Sequence, residues 1–381
     1  MKVSGSWIDH DGTQALCAAL EAAGHRALFV GGAVRNALLG EPVADVDIAT
    51  DATPENVTNI AENAGFRVVP TGIDHGTVTV VVQGRAHEVT TFRRDVETDG
   101  RRAVVAFTTL IEEDAARRDF TMNALYADRH GAVIDPLGGL HDLHARRVRF
   151  VGDAETRIRE DYLRILRFFR FHAAFGDPEG GMNPEALAAC AALSARLETI
   201  SHERIGVEMR KLLSARDPAP AVAAMAATGV LWQILPGADP RALAPLICLE
   251  GDTPPYWLRR LSALGGQDIA AALRLSRRET RDLAALMTAI GSMDSPAALG
   301  WQLGAKLGLD AILARAAIFG TSIPESWTSE VARGAAETFP IAAADLMPAL
   351  EGAALGARLK ALQSLWLASG LRLSRSDLLT R

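Results

Sequence analysis

"FVGGAVRNALLGEPVADVDIAT", residues 29–50, brings two glycines, a cation and two acids close together. The run "RALFVGG" (26–32) is short, apolar and closed by glycines, which reads as a strand entering a turn. A Gly31-Gly32 turn running into a helix at Ala33 lets backbone N–H groups approach an anion, and the helix N-terminus adds partial positive charge. Arg35 in the first helical turn supplies a fork that matches phosphate oxygens. A strand–helix turn that merely needs glycine explains "GG" equally well, and on its own is the commoner reading.

Asp45 and Asp47 shift that balance. On a strand, residues i and i+2 share a face, which sets the two carboxylates roughly 6–7 Å apart along the chain. Like charges so placed repel unless something opposite lies between them. A divalent cation resolves the conflict, because Mg²⁺ prefers hard carboxylate oxygens and pairs of such ions bridge phosphates. A lone D-x-D also fits a solvated turn; the glycine turn shortly before it is what makes the pattern specific.

The remaining composition bounds the class of protein. The chain has 381 residues, 49% hydrophobic and 23% charged, enough for two or three domains with ordinary globular cores. The formal net charge of −6 gives no sign of a general nucleic-acid binder, although a global sum hides local patches. Lysine occurs only at positions 2, 211, 306 and 360, so nearly all basic residues are Arg. Cys17, Cys190 and Cys248 are odd in number and far apart, which argues against a disulfide framework and against a Cys-based zinc site. "MKVSGSWIDHDG" has no apolar run behind a basic start, and no stretch reaches membrane-spanning length without polar residues. The expectation is a cytoplasmic protein with no membrane contact.

Up to about Phe150 strand and helix signals alternate. "TVTVVV" (77–82) and "GRAHEVTTF" (84–92) read as two strands joined at Gln83-Gly84, and "GAVIDPLGG" (131–139) as another short strand. "AETRIREDYLRILRFFRFHAAF" (154–175) lacks internal Gly and Pro and reads as one long helix. From there to Arg381 the chain is Ala/Leu-rich with Pro or Gly punctuation, the texture of successive helices. The predicted class is α+β: a head with a small mixed sheet, followed by an all-helical remainder. The expected domains are 1–150, 151–215 and 216–381.

"GGAVRNALLGEPVADVDIAT" resembles the signature of the nucleotidyltransferases that extend RNA 3′ ends, the class II CCA-adding tRNA nucleotidyltransferases and bacterial poly(A) polymerases. "EEDAARRDFTMNALYAD" (112–128), "IDPLGGLHDL" (134–143), "EDYLRILRFFRF" (160–171) and "SHERIGVEMRKLL" (201–213) match further motifs in the family's order, so the resemblance spans roughly residues 26–213. It implies a polymerase-beta-like nucleotidyltransferase head, a helical neck (151–215) that selects the nucleotide and binds RNA, and a helical body and tail (216–381) that binds tRNA. The implied activity is Mg²⁺-dependent, template-independent addition of CMP and AMP from CTP and ATP to the tRNA 3′ end, with pyrophosphate released. The implied partners are the tRNA 3′ end and acceptor/T arm, with the protein a monomer or homodimer. Poly(A) addition, partial CC or A addition, and a catalytically silent RNA-binding protein are the alternatives. Residues 216–381 hold about as many acids as bases and end without a basic block, which favours tRNA over unstructured RNA.

The resemblance also implies roles. Asp45 and Asp47 are catalytic metal ligands; Gly32, Arg35 and Arg118 bind the triphosphate; Asp161 and Arg164 read the Watson–Crick edge of the incoming base; Arg167 and Arg170 hold the triphosphate or the pocket's shape. The chemistry of selection is sound, since C and A both offer an exocyclic amine beside a ring-nitrogen acceptor, a pattern one Asp and one Arg can read. An amphipathic helix with an exposed Arg face is the bland account of the same spacing. Asp119 and Glu88 compete as a third acid near the metals. "TTFRRDVETDGRRAVVAFTT" (90–109) resembles the family's loop for switching from C to A, and reads otherwise as a surface hairpin. The family usually has Asp where this chain has Asn36, a change that keeps the hydrogen-bonding shape and removes a charge beside Arg35. Histidines such as His75 and His87 show no ligand spacing and are expected to be hydrogen-bonded or exposed.

Overall fold

The apolar run before the glycines is a strand, β1 (Leu28–Val30), preceded by α1 (Asp11–Ala22) and followed directly by α2 (Gly32–Leu39). The computed structural model describes residues 1–70, 72–73, 76–99 and 102–381, except for the side chains of 95–99 and 102–105. It divides into two compact units, Met1–Ile200 and Ser201–Arg381, a boundary that falls inside the segment 151–215.

In the first unit β2 (Asp47–Thr50), α3 (Pro54–Asn63), β3 (Arg67–Val69), β4 (Thr77–Val82) and β5 (Arg85–Thr91) follow α2. A hairpin of β6 (Arg93–Asp99) and β7 (Arg102–Phe107) leads to α4 (Ile111–Ala116), β8 (Tyr126–Ala127), β9 (Val133–Ile134) and α5 (Gly139–His144). Seven strands form one mixed sheet in the order β3-β4-β5-β2-β1-β8-β9, in which β2 and β5 run parallel and the other neighbours antiparallel. Alternation decides which way β4 and β5 face: Val78, Val80 and Val82 point into the core, as do His87, Val89 and Thr91. Gln83 and Gly84 both have positive φ, 50° and 79°, the backbone that a two-residue hairpin turn needs. The small mixed sheet is thus as expected, and so are the strands at 77–82, 84–92 and 131–139. The ladder of β6 with β7 gives 90–109 a hairpin backbone, while its tip, Gly100-Arg101, lies outside the described residues.

Three local expectations are corrected. Asp45 lies in the loop before β2 rather than on it. The reason is register: Val30 pairs with Asp47, and the next residues of β1's side turn away into α2, so Asp45 has no strand to pair with. The expected single helix at 154–175 is two, α6 (Ala154–Glu160) and α7 (Leu163–Phe175). Asp161 is extended at the break (φ −154°, ψ 105°), and its carboxylate accepts the Leu163 N–H at 3.1 Å, a local bond through which Asp competes with helix continuation. His87 is also a correction: it is fully buried with neither ring nitrogen hydrogen-bonded, and His75 lies outside the described residues.

An aromatic cluster fixes α7 against the Phe120–Phe150 bridge. Phe120 packs on Phe150 and Phe171, each at 4.9 Å between ring centres, and Phe150 stacks on Phe168 at 5.7 Å. All four rings are buried, so this seam anchors the helix through apolar area rather than charge. α8 (Pro184–Leu193) closes the unit, capped by the Asn183 side chain.

Among the described residues the second unit is helical throughout. It comprises α9 (His202–Leu213), α10 (Ala219–Ala227), α11 (Val230–Ile234), α12 (Leu243–Glu250), α13 (Trp257–Leu264), α14 (Ile269–Ala272), α15 (Arg277–Ile290), α16 (Pro296–Phe319), α17 (Trp327–Ala336), α18 (Gly352–Ala368) and α19 (Arg375–Leu379). Arg259 and Arg260 are fully buried on α13, where both pair with Glu250 at 2.7 Å and Arg259 also pairs with Asp310 at 2.6 Å. Arg260 further donates to the carbonyls of Leu213 (2.7 Å), Ala215 and Arg216, tying the end of α9 to this buried network. No described helix is long and apolar enough to cross a membrane.

Candidate active site

The site is built around the Gly31-Gly32 turn. Gly31 has φ +66°, a left-handed conformation that favours glycine, and its N–H bonds the Leu125 carbonyl at 3.2 Å. The N–H groups of Gly32, Ala33 and Val34 precede the first helical bond, which runs from Arg35 N to Gly31 O at 3.0 Å. Two guanidiniums lie against this turn from different elements. A side chain at Gly31 would begin 3.5 Å from Arg118 Nη1, and one at Gly32 would begin 3.7 Å from Arg35 Nη2. The two cations therefore stand within van der Waals reach of the turn that carries the backbone donors.

Each arginine is held by a different set of partners. Arg118, just after α4, donates to Asp114 Oδ2 at 2.9 Å and to the Tyr126 hydroxyl at 3.1 Å. Its burial acts against the charge, but Tyr126 and Asp114 outweigh that and hold its pKa above the usual Arg range. Asp114 is 1% exposed. It also takes Arg117 Nε at 2.9 Å and the Tyr126 hydroxyl at 2.6 Å. Burial alone would raise the Asp114 carboxyl; Arg118, Arg117 and Tyr126 hold it at about 2 instead. Arg35 is buried, donating to Asn123 Oδ1 at 2.5 Å and to Asn36 Oδ1 at 2.8 and 3.1 Å. It stands over the rings of Phe175 (4.0 Å) and Phe171 (5.2 Å). Burial, and then the like charge of Arg170, lower its pKa to about 10.

The carboxylates meet the turn through the sheet register. Asp47 stands opposite Val30, one residue before the glycines, and beside Glu88 on the parallel strand β5. Removal from water raises the Asp47 pKa, the charges of Glu88 and Asp45 add to that, and Arg118 opposes it. Among the described residues no hydrogen bond or ion pair engages the carboxylates of Asp45, Asp47 or Glu88. Nor do any three His, Cys, Asp or Glu side chains there gather closely enough to hold a metal by themselves. Two carboxylates plus substrate phosphates suit Mg²⁺, which keeps part of its coordination for ligands outside the protein. The donor set therefore fits that ion.

The two competing third acids occupy different surroundings. Asp119 is buried and accepts Arg167 Nε at 2.7 Å and Arg167 Nη2, Asn123 Nδ2 at 2.9 Å and the Phe120 N–H at 2.8 Å. Burial would raise its pKa, yet Arg167 and these donors hold it low. Its oxygens are spent on positioning, whereas Glu88 is exposed next to Asp47.

Asp161 lies at the α6–α7 break, and Arg164, Arg167 and Arg170 follow at successive turns of α7. Arg164 donates from Nη1 to Glu160 and to the Arg157 carbonyl (2.8 Å), and from Nη2 to the Arg117 carbonyl (3.1 Å). These acceptors leave Nε–H and one Nη2–H of its five donors. Arg167 and Arg170 share the Phe171 ring at 5.3 and 4.4 Å. The structure thus sets Asp45, Asp47, Arg118, Arg35, Arg167 and Arg170 around the Gly31-Gly32 turn and ties Arg164 to the Arg117 carbonyl, while the bond that Asp161 makes at the helix break is local. Sequence reasoning missed Asp114, Asn123 and Glu160, which hold Arg118, Arg35 and Arg164; only the acids inside the matched motifs could have signalled two of them.

A sequence profile for the poly A polymerase head domain matches residues 27–149, and one described as the probable RNA and SrmB-binding site of polymerase A matches 181–241. The first unit therefore contains the head of a nucleotidyltransferase. The CCA-adding enzyme of Geobacillus thermodenitrificans is 40% identical over 310 residues, 81% of this chain and 70% of its own. The mitochondrial CCA tRNA nucleotidyltransferase 1 of Homo sapiens is 45% identical over 190 residues, 50% of this chain and 44% of its own. The crystal structure of the Bacillus stearothermophilus CCA-adding enzyme in complex with CTP superposes with a TM-score of 0.69 at 31% identity, covering 94% of this chain and 92% of that one. The chain belongs to the CCA-adding tRNA nucleotidyltransferase family.

Proposed function

We propose that the protein adds CMP and AMP from CTP and ATP to the 3′ end of tRNA, releasing pyrophosphate. The observation that carries this reading is the register of Asp47 opposite Val30, which sets the Asp47 strand, with Asp45 in the loop before it, against a glycine turn faced by two arginines. Asp45 and Asp47 would hold Mg²⁺, with Glu88 beside them. When bound, the ion would lower the pKa of the RNA 3′-hydroxyl and offset charge on the leaving pyrophosphate. Gly32 and its neighbours offer N–H groups to the triphosphate, and Arg35 and Arg118 offer guanidiniums from either side. The protein contributes placement and fixed charge, as in phosphoryl transfer generally.

Base choice falls to Asp161 and Arg164. A carboxylate oxygen accepts the exocyclic amine shared by C and A, and an Arg164 N–H donates to the ring nitrogen beside it. U and G would set a carbonyl against the carboxylate. Glu160 and two backbone carbonyls fix the Arg164 guanidinium, so the reading group is held in position before the nucleotide arrives. Residues 1–150 would act as catalytic head, 151–215 as the nucleotide-selecting neck and 216–381 as the tRNA-binding body and tail, in a cytoplasmic enzyme.

Asp47→Asn tests the assignment. With tRNA trimmed of its last three nucleotides, transfer should fall at least about a thousandfold while CTP binding in EDTA persists. Transfer near the wild-type rate in that variant would remove Asp47 from the metal site.

A further inference from the structure

A buried arginine ordinarily has a carboxylate partner, because an uncompensated buried charge is costly. Arg35 departs from this. Its side-chain acceptors, Asn36 and Asn123, are both neutral amides. Asp119, the carboxylate whose field reaches Arg35, is already bonded to Arg167 and Asn123, and the like charges of Arg170 and Arg167 act on Arg35 as well.

Asn36 has a second bond. Its Nδ2 donates to the Pro42 carbonyl at 2.8 Å, in the loop that runs on to Asp45. The orientation of the amide follows from chemistry, since a guanidinium only donates and a carbonyl only accepts. Asn36 thus fastens Arg35 on one side and the Asp45 loop on the other without adding charge to either. An aspartate here would accept the same two guanidinium N–H groups, neutralise Arg35 and set an oxygen against the Pro42 carbonyl.

We propose that Asn36 is a positioning residue that sets triphosphate affinity: it holds Arg35 beside the Gly32 turn and leaves the guanidinium's charge for the nucleotide's phosphates. This rests on the nucleotidyl-transfer reading above, and it concerns the phosphate half of the site, not the base.

Asn36→Asp (N36D) is the test, with tripolyphosphate and cytidine titrated separately in EDTA, and with KM and kcat for CTP and ATP measured in tRNA extension. One added negative charge at the pocket wall should weaken tripolyphosphate binding about tenfold. KM for both nucleotides should rise by a similar factor, the change in kcat should be much smaller, and cytidine binding should not move. N36S, which gives up the amide's bonds to both Arg35 and the Pro42 carbonyl but adds no charge, should weaken tripolyphosphate less than N36D does. Unchanged tripolyphosphate binding in N36D, an effect confined to kcat, or equal losses in N36S and N36D would each overturn the proposal. A wild-type protein that extends tRNA yet gives one of those results refutes this inference alone; one that neither extends tRNA nor binds tripolyphosphate refutes the transfer reading with it.

Discussion

Replacing Asp114 by Asn removes a buried charge while nearly keeping the shape of the side chain. Asp114 is 1% exposed and accepts from Arg117, Arg118, Tyr126 and, at 3.4 Å, the Arg93 N–H. Its pKa lies at about 2, against an ordinary 3.8. Folding lowers this pKa, so the carboxylate's stabilisation is complete above the unfolded value near 3.8 and disappears as pH falls through about 2. Linkage sets the contribution at about 2–3 kcal/mol. The amide's NH₂ would also face donors on Arg or Tyr, so the cost at neutral pH should reach about 3–5 kcal/mol, the range for breaking a buried pair. In a unit of this size that lowers the midpoint of thermal unfolding by roughly 6–20 °C. Melting curves by circular dichroism at pH 7, 5, 4 and 3 should show a difference between wild type and variant that is constant down to pH 5 and narrows below 4. Because Arg118 loses its anchor beside Gly31, KM for CTP should rise as well. A midpoint shift under about 2 °C at pH 7, or a difference that widens on acidification, would refute the role given to Asp114.

Three further outcomes follow from the same geometry. Burial, with Arg85 and His10, lowers the pKa of His87 from 6.5 to about 4, so the unfolded chain takes the proton first and stability falls as pH drops through that window; between pH 7 and 5 the loss is about 2 kcal/mol, and His87→Leu should abolish that part of the pH dependence in urea melts. Gly31→Ala forces a side chain onto φ +66° and narrows the gap to Arg118, so it should cost about 1–2 kcal/mol of stability and raise KM for both nucleotides; an unaltered KM would exclude the turn from phosphate binding. Asp161→Ala should reduce discrimination of CTP over UTP by at least about tenfold in single-turnover incorporation, and undiminished selectivity would take base reading away from Asp161.

What was legible in the sequence was what local pattern encodes. An apolar run closed by glycines gave β1 and its turn, β-branched alternation gave β4 and β5, and a one-residue interval marked the two aspartates. The break at Asp161 carries no Gly or Pro to mark it and rests instead on the habit of Asp to bond its own backbone. Glu88 was a candidate on a predicted strand, but its place beside Asp47 depends on the parallel pairing of β2 with β5, which no local pattern states. The motif around Asp114 is legible in the sequence, but its function as the shared acceptor for Arg117, Arg118 and Tyr126 arises only where α4 meets the Tyr126 hydroxyl. Asn36 read as a lost charge; in three dimensions it is a tether with a bond on each side.

Sizing and sequencing the products made from tRNA that lacks its last three nucleotides tests the central claim most directly. With Mg²⁺ and both CTP and ATP, the protein should add three nucleotides, C, C and A in order, and then stop; with CTP alone it should stop after two. A long A tail, incorporation of U or G at comparable rates, or no extension at all would contradict the account.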